Sequence, residues 1–219
     1  MVFERKKIET GAGCVHCSHE NNIEIPPDSF SEALEKPSVL LHSCCGPCST
    51  AVVERLVEEF NVTVFFYNPC ITEEEEYNRR RCAQISFIKQ FNLENTGKFI
   101  IKYTESDYRP ADFLNATASL ESEPEGGARC RVCFRQRLEK TAETASLKGY
   151  DLFGTTLTVS PHKNYGIISE TGRELAVKYG VSFLDRDFKK KDGFKRSIEL
   201  SKKYDLYRQN YCGCKYSKR

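Results

Sequence analysis

Between Ser38 and Phe60 the chain reads SVLLHSCCGPCSTAVVERLVEEF, a short apolar run that meets three cysteines and then an amphipathic pattern. Val39, Leu40 and Leu41 are a β-branched and aliphatic run of the kind found inside a parallel sheet. Pro47 suits a first helical position, where its missing N–H would have had no intrahelical partner anyway. Beyond it, Val52, Val53, Leu56, Val57 and Phe60 recur at helical spacing and form an apolar face. The order strand, turn, helix puts Cys44, Cys45 and Cys48 on the turn. That turn lies at the carboxyl end of a strand and at a helix N-terminus, where open α/β sheets hold ligands and unpaired N–H groups favour negative charge. Thiolates form more readily there than in water.

The alternation continues along the chain. Val62 to Tyr67 reads as a second buried strand, closed by Asn68-Pro69-Cys70. Glu73 to Leu93 follows as a helix with acidic residues at its start and Arg79 to Arg81 further in, the order a helix dipole prefers. Tyr77, Ile85, Ile88 and Phe91 supply its inner face, and Cys82 is expected there as a buried, inert thiol. Phe99 to Tyr103 is a third strand, and Pro110 opens a short helix. An acidic loop from Glu121 then leads to Arg129-Cys130-Arg131-Val132-Cys133, ahead of the helix FRQRLEKTAETASL. Asp151 to Val159 reads as a fourth strand, followed by Ser160-Pro161-His162-Lys163. A helix around Ile167 to Tyr179, a strand over Val181 to Leu184, a helix near Phe194 to Tyr207 and the tail YCGCK complete the chain. This pattern predicts one α/β domain over residues 37–219, with a mostly parallel sheet of about five strands, helices on both faces and right-handed crossovers.

Residues 1–36 show little apolar periodicity and contain GAGCVHCSHENN and then Pro26 and Pro27, so they are read as an N-terminal arm. Within it, Cys14 and Cys17 with His16 and His19 have the spacing of half a zinc site, without a matching second half nearby. No apolar run approaches the ~18 residues of a membrane span, and the charged start MVFERKKIE lacks a signal peptide's apolar core. A soluble, cytoplasmic protein without a membrane partner is the expectation. The net charge of +2 hides an asymmetry: the segment from Arg186 to Arg219 alone carries +8. Such a segment suits a polyanionic partner, or is an ordinary solvated face.

Eleven cysteines cannot all pair within one chain, and in a reducing compartment such clusters read first as metal or catalytic sites. Cys45-Gly46-Pro47-Cys48 between a strand and a helix is also what a thiol–disulfide oxidoreductase presents. Against that, Cys44 directly precedes the motif and a second pair, Cys130 and Cys133, opens another helix. Thiolates from Cys44, Cys45, Cys130 and Cys133 would satisfy an iron–sulfur cluster or, equally, a structural zinc in an RNA-binding module. Spacing leaves both open.

The set HSCCGPC, YNPCITEEEEYNRR, RCRVCFRQRL, TTLTVSPHKN and YRQNYCGCKYS resembles the cobalamin-independent, iron–sulfur epoxyqueuosine reductase family of transfer-RNA queuosine synthesis, over roughly Val39 to Ser217. The resemblance implies a nucleotide-binding, α/β hydrolase-like sheet. It also implies a [4Fe–4S] cluster on Cys44, Cys45, Cys130 and Cys133, and a redox-active disulfide pair in Cys212 and Cys214. The implied partners are transfer RNA bearing epoxyqueuosine and an unidentified electron donor, with no DNA. Cys70 stands where the family is expected to have a second Asn, and Gly154 where a Ser or Thr is expected. Turning an epoxide into an alkene takes two electrons and two protons and releases water, so a cluster, a Lewis acid and a proton donor are all of use. Cys48, left over in the first loop, is the candidate for a second metal, an iron, or for contact with substrate. His162, Tyr108 and Asp107 are the candidate proton donors.

Overall fold

A computed structural model describes residues 36–218. The expected arm, with Cys14 and Cys17, lies outside the described residues. Five strands, β1 (Ser38–Ser43), β2 (Asn61–Phe66), β3 (Lys102–Glu105), β4 (Leu152–Thr155) and β5 (Ser182–Phe183), form one all-parallel sheet in the order β3-β2-β1-β4-β5. The expected α/β architecture is therefore observed. Val39 sits at the sheet's centre, paired with Val62 on one side and Leu152 on the other.

Alternation along β1 decides which helices cover which face. Val39 and Leu41 pack with residues of α1 (Gly46–Leu56), α2 (Glu74–Glu94) and α6 (Gly193–Lys203). Leu40 points the other way, toward α4 (Ala128–Leu147) and α5 (Tyr165–Tyr179). The short α3 (Pro110–Ala116) buries Phe113 in a third cluster with Cys70, Cys133 and Cys214. Strand order reverses direction between β1 and β4, so a crevice opens beyond their carboxyl ends, where sheets of this kind hold ligands.

Three of the boundaries that differ from the periodicity have a local cause or bear on the site. The fourth strand ends at Thr155 and continues as a 3-10 turn over Thr156–Val159, because the Thr155 hydroxyl accepts the N–H of Leu157 at 3.1 Å and draws the backbone out of the ladder. The third strand begins at Lys102, since the Asn92 side chain holds both the N–H and the carbonyl of Ile101 (2.8 and 2.9 Å). Cys130 and Cys133 lie within α4, which starts at Ala128, rather than ahead of the helix.

The charge asymmetry is largely settled inside the fold. Arg186 pairs with Glu59, Arg196 with Glu54, Lys203 with Glu94 and Lys218 with Glu73, so the basic C-terminal segment lies against acids of the α1 and α2 regions. Among the described residues, no helix is long and apolar enough to cross a membrane.

Candidate metal centre

The turn between β1 and α1 presents Cys44 and Cys45, and Cys48 follows in the first turn of α1. A close approach of α1 to α2 positions them: a Cβ on Gly46 would stand 2.7 Å from the Ala83 carbonyl oxygen, so only glycine fits there. The three sulfurs lie within 4.8 Å of one another, with Cys44 Sγ 3.9 Å from Cys45 Sγ. They share their protons unequally. The S–H groups of Cys45 and Cys48 aimed at Cys44 hold its thiol well below the usual range, against the effect of burial and with help from Lys163 and Arg137. Donating to Cys44 in turn pushes Cys45 up to about 11 and Cys48 further above its ordinary value. Gln209, from the C-terminal segment, donates to Cys45 Sγ at 3.0 Å.

A second group of cysteines lines an adjoining cavity of about 190 Å³: Cys70, Cys130, Cys133, Cys212 and Cys214. Cys133 donates to Cys70 and brings it down to about 6, with Arg137 assisting against burial; Cys133 itself is held up, by that bond and by burial. Cys130 Sγ accepts the Gly126 N–H at 3.2 Å. Arg129, Arg137, His162 and Lys163 share the lining.

Arg137 connects the two groups. It is only 1% exposed, and its Nε donates to the Cys133 carbonyl at 3.1 Å while Nη2 has no hydrogen-bond partner. Among the described residues it makes no ion pair with a carboxylate. A guanidinium does not shed its proton, and an uncompensated buried charge costs on the order of several kcal/mol. Burial works against its charge, and Cys133, Cys70, Cys44 and Cys212 work for it; of these, Cys44 and Cys70 are the thiols held low, so they are the nearest source of negative charge. Lys163 is similar: burial opposes its ammonium, and Cys212, Cys44 and Cys48 more than offset this. Soft anionic ligands gathered around fixed cations fit a thiolate-bound metal or an iron–sulfur cluster. His42, beneath the site, is buried and held down to about 3 by that burial and by Arg137, so it is neutral. Its Nε2 donates to the Tyr67 carbonyl (3.1 Å), and its Nδ1 accepts from the Thr155 hydroxyl (3.0 Å).

The structure thus brings every cysteine named as a candidate, Cys44, Cys45, Cys48, Cys130, Cys133, Cys212 and Cys214, to the neighbourhood of Arg137 and its cavity. The tight trio is Cys44, Cys45 and Cys48, and the partner of Cys133 is Cys70. Cys212 and Cys214 are both free thiols, so the disulfide form of that pair finds no support here. Of the proton-donor candidates, His162 lines the cavity; Tyr108 stacks on Tyr77 at 4.0 Å and donates to the Ile71 carbonyl, and Asp107 is exposed, neither of them in the lining. Cys82 is half-buried on α2. Sequence pattern alone does not single out Arg137, Lys163, Arg80 or Gln209. For Arg137 a signal exists, because Cys130, Cys133 and Arg137 recur at i, i+3 and i+7 on one helix face.

A family model described as "Epoxyqueuosine reductase QueH" matches residues 39–219. The epoxyqueuosine reductase QueH of Streptococcus pyogenes serotype M1 is 44% identical over 182 residues, covering 83% of this chain and 71% of that protein. That of Staphylococcus epidermidis is 44% identical over 185 residues, covering 84% and 77%. The Thermotoga maritima relative is 36% identical and covers 82% and 90%.

Proposed function

Since the chain belongs to the epoxyqueuosine reductase QueH family, we propose that it reduces epoxyqueuosine in transfer RNA to queuosine in the cytoplasm, the last step of queuosine biosynthesis. Cys44, Cys45, Cys130 and Cys133 hold a [4Fe–4S] cluster in this reading, Cys48 is available to a second metal ion, an iron, and Cys212 with Cys214 form a redox-active pair. When bound, the cluster supplies electrons one at a time, and a metal with an open position acts as a Lewis acid. The chain's own groups do the rest: Arg137 and Lys163 balance the anionic thiolates, and the cavity beside them receives the modified base.

The observation that supports this best is the burial of Arg137 without a carboxylate, amid Cys44, Cys70, Cys133 and Cys212. A thiol–disulfide oxidoreductase built on Cys45 and Cys48 needs an attacking thiol of lowered pKa. Both of those thiols are pushed up instead.

The test is anaerobic purification followed by iron and sulfide analysis, then incubation with epoxyqueuosine-bearing transfer RNA and a low-potential one-electron reductant. Brown protein with cluster-level iron and sulfide that forms queuosine is the expected result. Colourless protein carrying zinc alone would overturn the cluster, and cluster-loaded protein without queuosine formation would overturn the reaction.

A further inference from the structure

Folding pairs off part of the basic C-terminal segment and leaves a group of its cations together. Arg186, Arg196, Lys203 and Lys218 meet carboxylates, whereas Lys190, Lys191, Lys195 and Arg208 are exposed and pair with none among the described residues. The acids of the same stretch are partly spent: Glu199 holds Arg196 together with Glu54, and Asp187 accepts the Lys189 N–H at 3.2 Å. Asp192 and Asp205 are the two without an ion pair, so the cations outnumber them.

Resting on the function proposed above, we infer that Lys190, Lys191, Lys195 and Arg208 form the surface that holds phosphates of the transfer RNA next to its modified base. Place is the first reason. Lys190 and Lys191 lie on the turn between β5 and α6, at the same carboxyl edge of the sheet as the cysteine turn and the cavity. That turn is fastened to the one carrying His162 and Lys163: Lys189 Nζ donates to the Lys163 carbonyl at 3.1 Å, and the Thr158 hydroxyl donates to the Arg186 carbonyl at 2.9 Å. Arg208 lies over the ring of Phe194, the neighbour of Lys195, at 5.3 Å, and the residue after it, Gln209, reaches Cys45 Sγ. A base still attached to its RNA brings the adjoining phosphates to this edge.

Backbone conformation is the second reason. Lys191 and Asp192 have left-handed φ of +54° and +57°, a region that lysine rarely occupies. Arg55 holds the turn there, donating to the carbonyls of Phe188 (3.4 Å), Lys190 (2.9 Å) and Lys191 (2.6 Å). Gly193 permits it, since a Cβ would stand 1.8 Å from the Phe188 carbonyl oxygen. Glycine would fill the Lys191 position without strain, so an exposed cation kept there fits a contact with a polyanion better than a need of the fold. Each side chain that neutralises a phosphate releases condensed counterions, which makes such a contact independent of sequence and sensitive to salt.

The test is the affinity of the anaerobically purified protein for epoxyqueuosine-bearing transfer RNA between about 50 and 200 mM salt, read by fluorescence anisotropy. The Lys190→Gln, Lys191→Gln, Lys195→Gln triple variant is expected to bind on the order of 10-fold more weakly, with a salt slope shallower by roughly two to three. Its KM for the RNA should rise in step, with wild-type iron and sulfide. The same charge removed from the opposite edge of the sheet, as Lys98→Gln, Lys102→Gln, Lys148→Gln, where all three lysines are exposed, should leave affinity within about twofold of wild type. Lys191→Gly should unfold no earlier than wild type, because glycine takes that φ freely, and still bind the RNA more weakly. Wild-type affinity and slope in the first triple variant would overturn the assignment. So would an equal loss in the second, which would make the effect one of net charge. Failure of the underlying reading looks different: protein that binds the RNA through these lysines but forms no queuosine leaves the surface standing and removes the reaction.

Discussion

Arg80 on α2 donates to the Cys212 carbonyl at 3.0 Å across 132 residues of chain, and to the Tyr211 carbonyl at 3.2 Å. Its Nε is held by Glu76 at 2.6 Å, and the second Glu76 oxygen accepts from Tyr207 at 2.7 Å. A buried ion pair therefore fastens the C-terminal cysteine loop to the second helix. Removing one partner of such a pair leaves the other charge stranded, at a cost of roughly 3–5 kcal/mol. Arg80→Met is expected to lose stability of that order in urea unfolding of the metal-free protein and to expose Cys212 to thiol reagents. A change below ~0.5 kcal/mol with unaltered labelling would show that the tail holds itself.

Gly213 has a left-handed φ of +119°, and a Cβ on it would lie 3.0 Å from Ile71 Cγ1 and 3.1 Å from Arg80 Nη1. Gly213→Ala combines backbone strain with pressure on the same guanidinium. Faster labelling of both Cys212 and Cys214, with the rest of the fold intact by circular dichroism, is the expected result.

The parallel sheet and its helical faces are legible in the sequence because β1 and β2 are near-continuous apolar runs and each is followed by a helix-period stripe, whereas the strand order is not. The end of β4 is not, since a single Thr155 hydroxyl, accepting from Leu157, overrides a run of β-formers. For the site, spacing identifies the cysteine loops but not their grouping. Cys70 belongs with Cys133 because the Asn68-Pro69 turn and the first turn of α4 meet in space, a contact between distant segments that periodicity does not encode. The +8 segment invites a polyanion when read alone, yet Glu54, Glu59, Glu73 and Glu94 neutralise much of it once the chain is folded.

Arg137 gives a prediction with opposite signs in two states. Without metal, its counter-charge among the described residues comes from the low-held thiols of Cys44 and Cys70, and replacing a buried charged group by an apolar side chain is often neutral or stabilising. Arg137→Met should then unfold at the same temperature as wild type or higher. With the cluster bound, the same change leaves several thiolates without their cation, so iron retention during anaerobic dialysis should fall severalfold. Lower stability in the metal-free variant together with undiminished iron retention would mean that Arg137 is a packing residue.

Cys70 and Cys130 separate two ligand sets. The proposed cluster uses Cys130, whereas Cys70 is the residue hydrogen-bonded to Cys133. Cys130→Ala should lose most of its iron and sulfide. Cys70→Asn, which restores the residue expected in the family, should keep them. The reverse pattern would assign the fourth ligand to Cys70.

The C-terminal pair decides whether electrons pass through the tail. Cys212 and Cys214 are free thiols separated by one glycine, Cys214 buried and Cys212 half-buried, and both line the cavity. A disulfide between them would close a small ring, and strained disulfides are the readily reduced ones. The Cys212→Ser, Cys214→Ser double variant is expected to retain its cluster and its transfer-RNA binding while forming queuosine poorly with the same chemical reductant. Lys215 is exposed and Lys218 lies 2.5 Å from Glu73, so Lys215 is the tail cation on which the proposed RNA contact is best tested. Lys215→Glu should therefore weaken transfer-RNA binding and flatten its dependence on salt, with cluster content unchanged. Full turnover by the double serine variant would remove the redox role, and an unaltered salt slope for Lys215→Glu would remove the tail from the RNA interface.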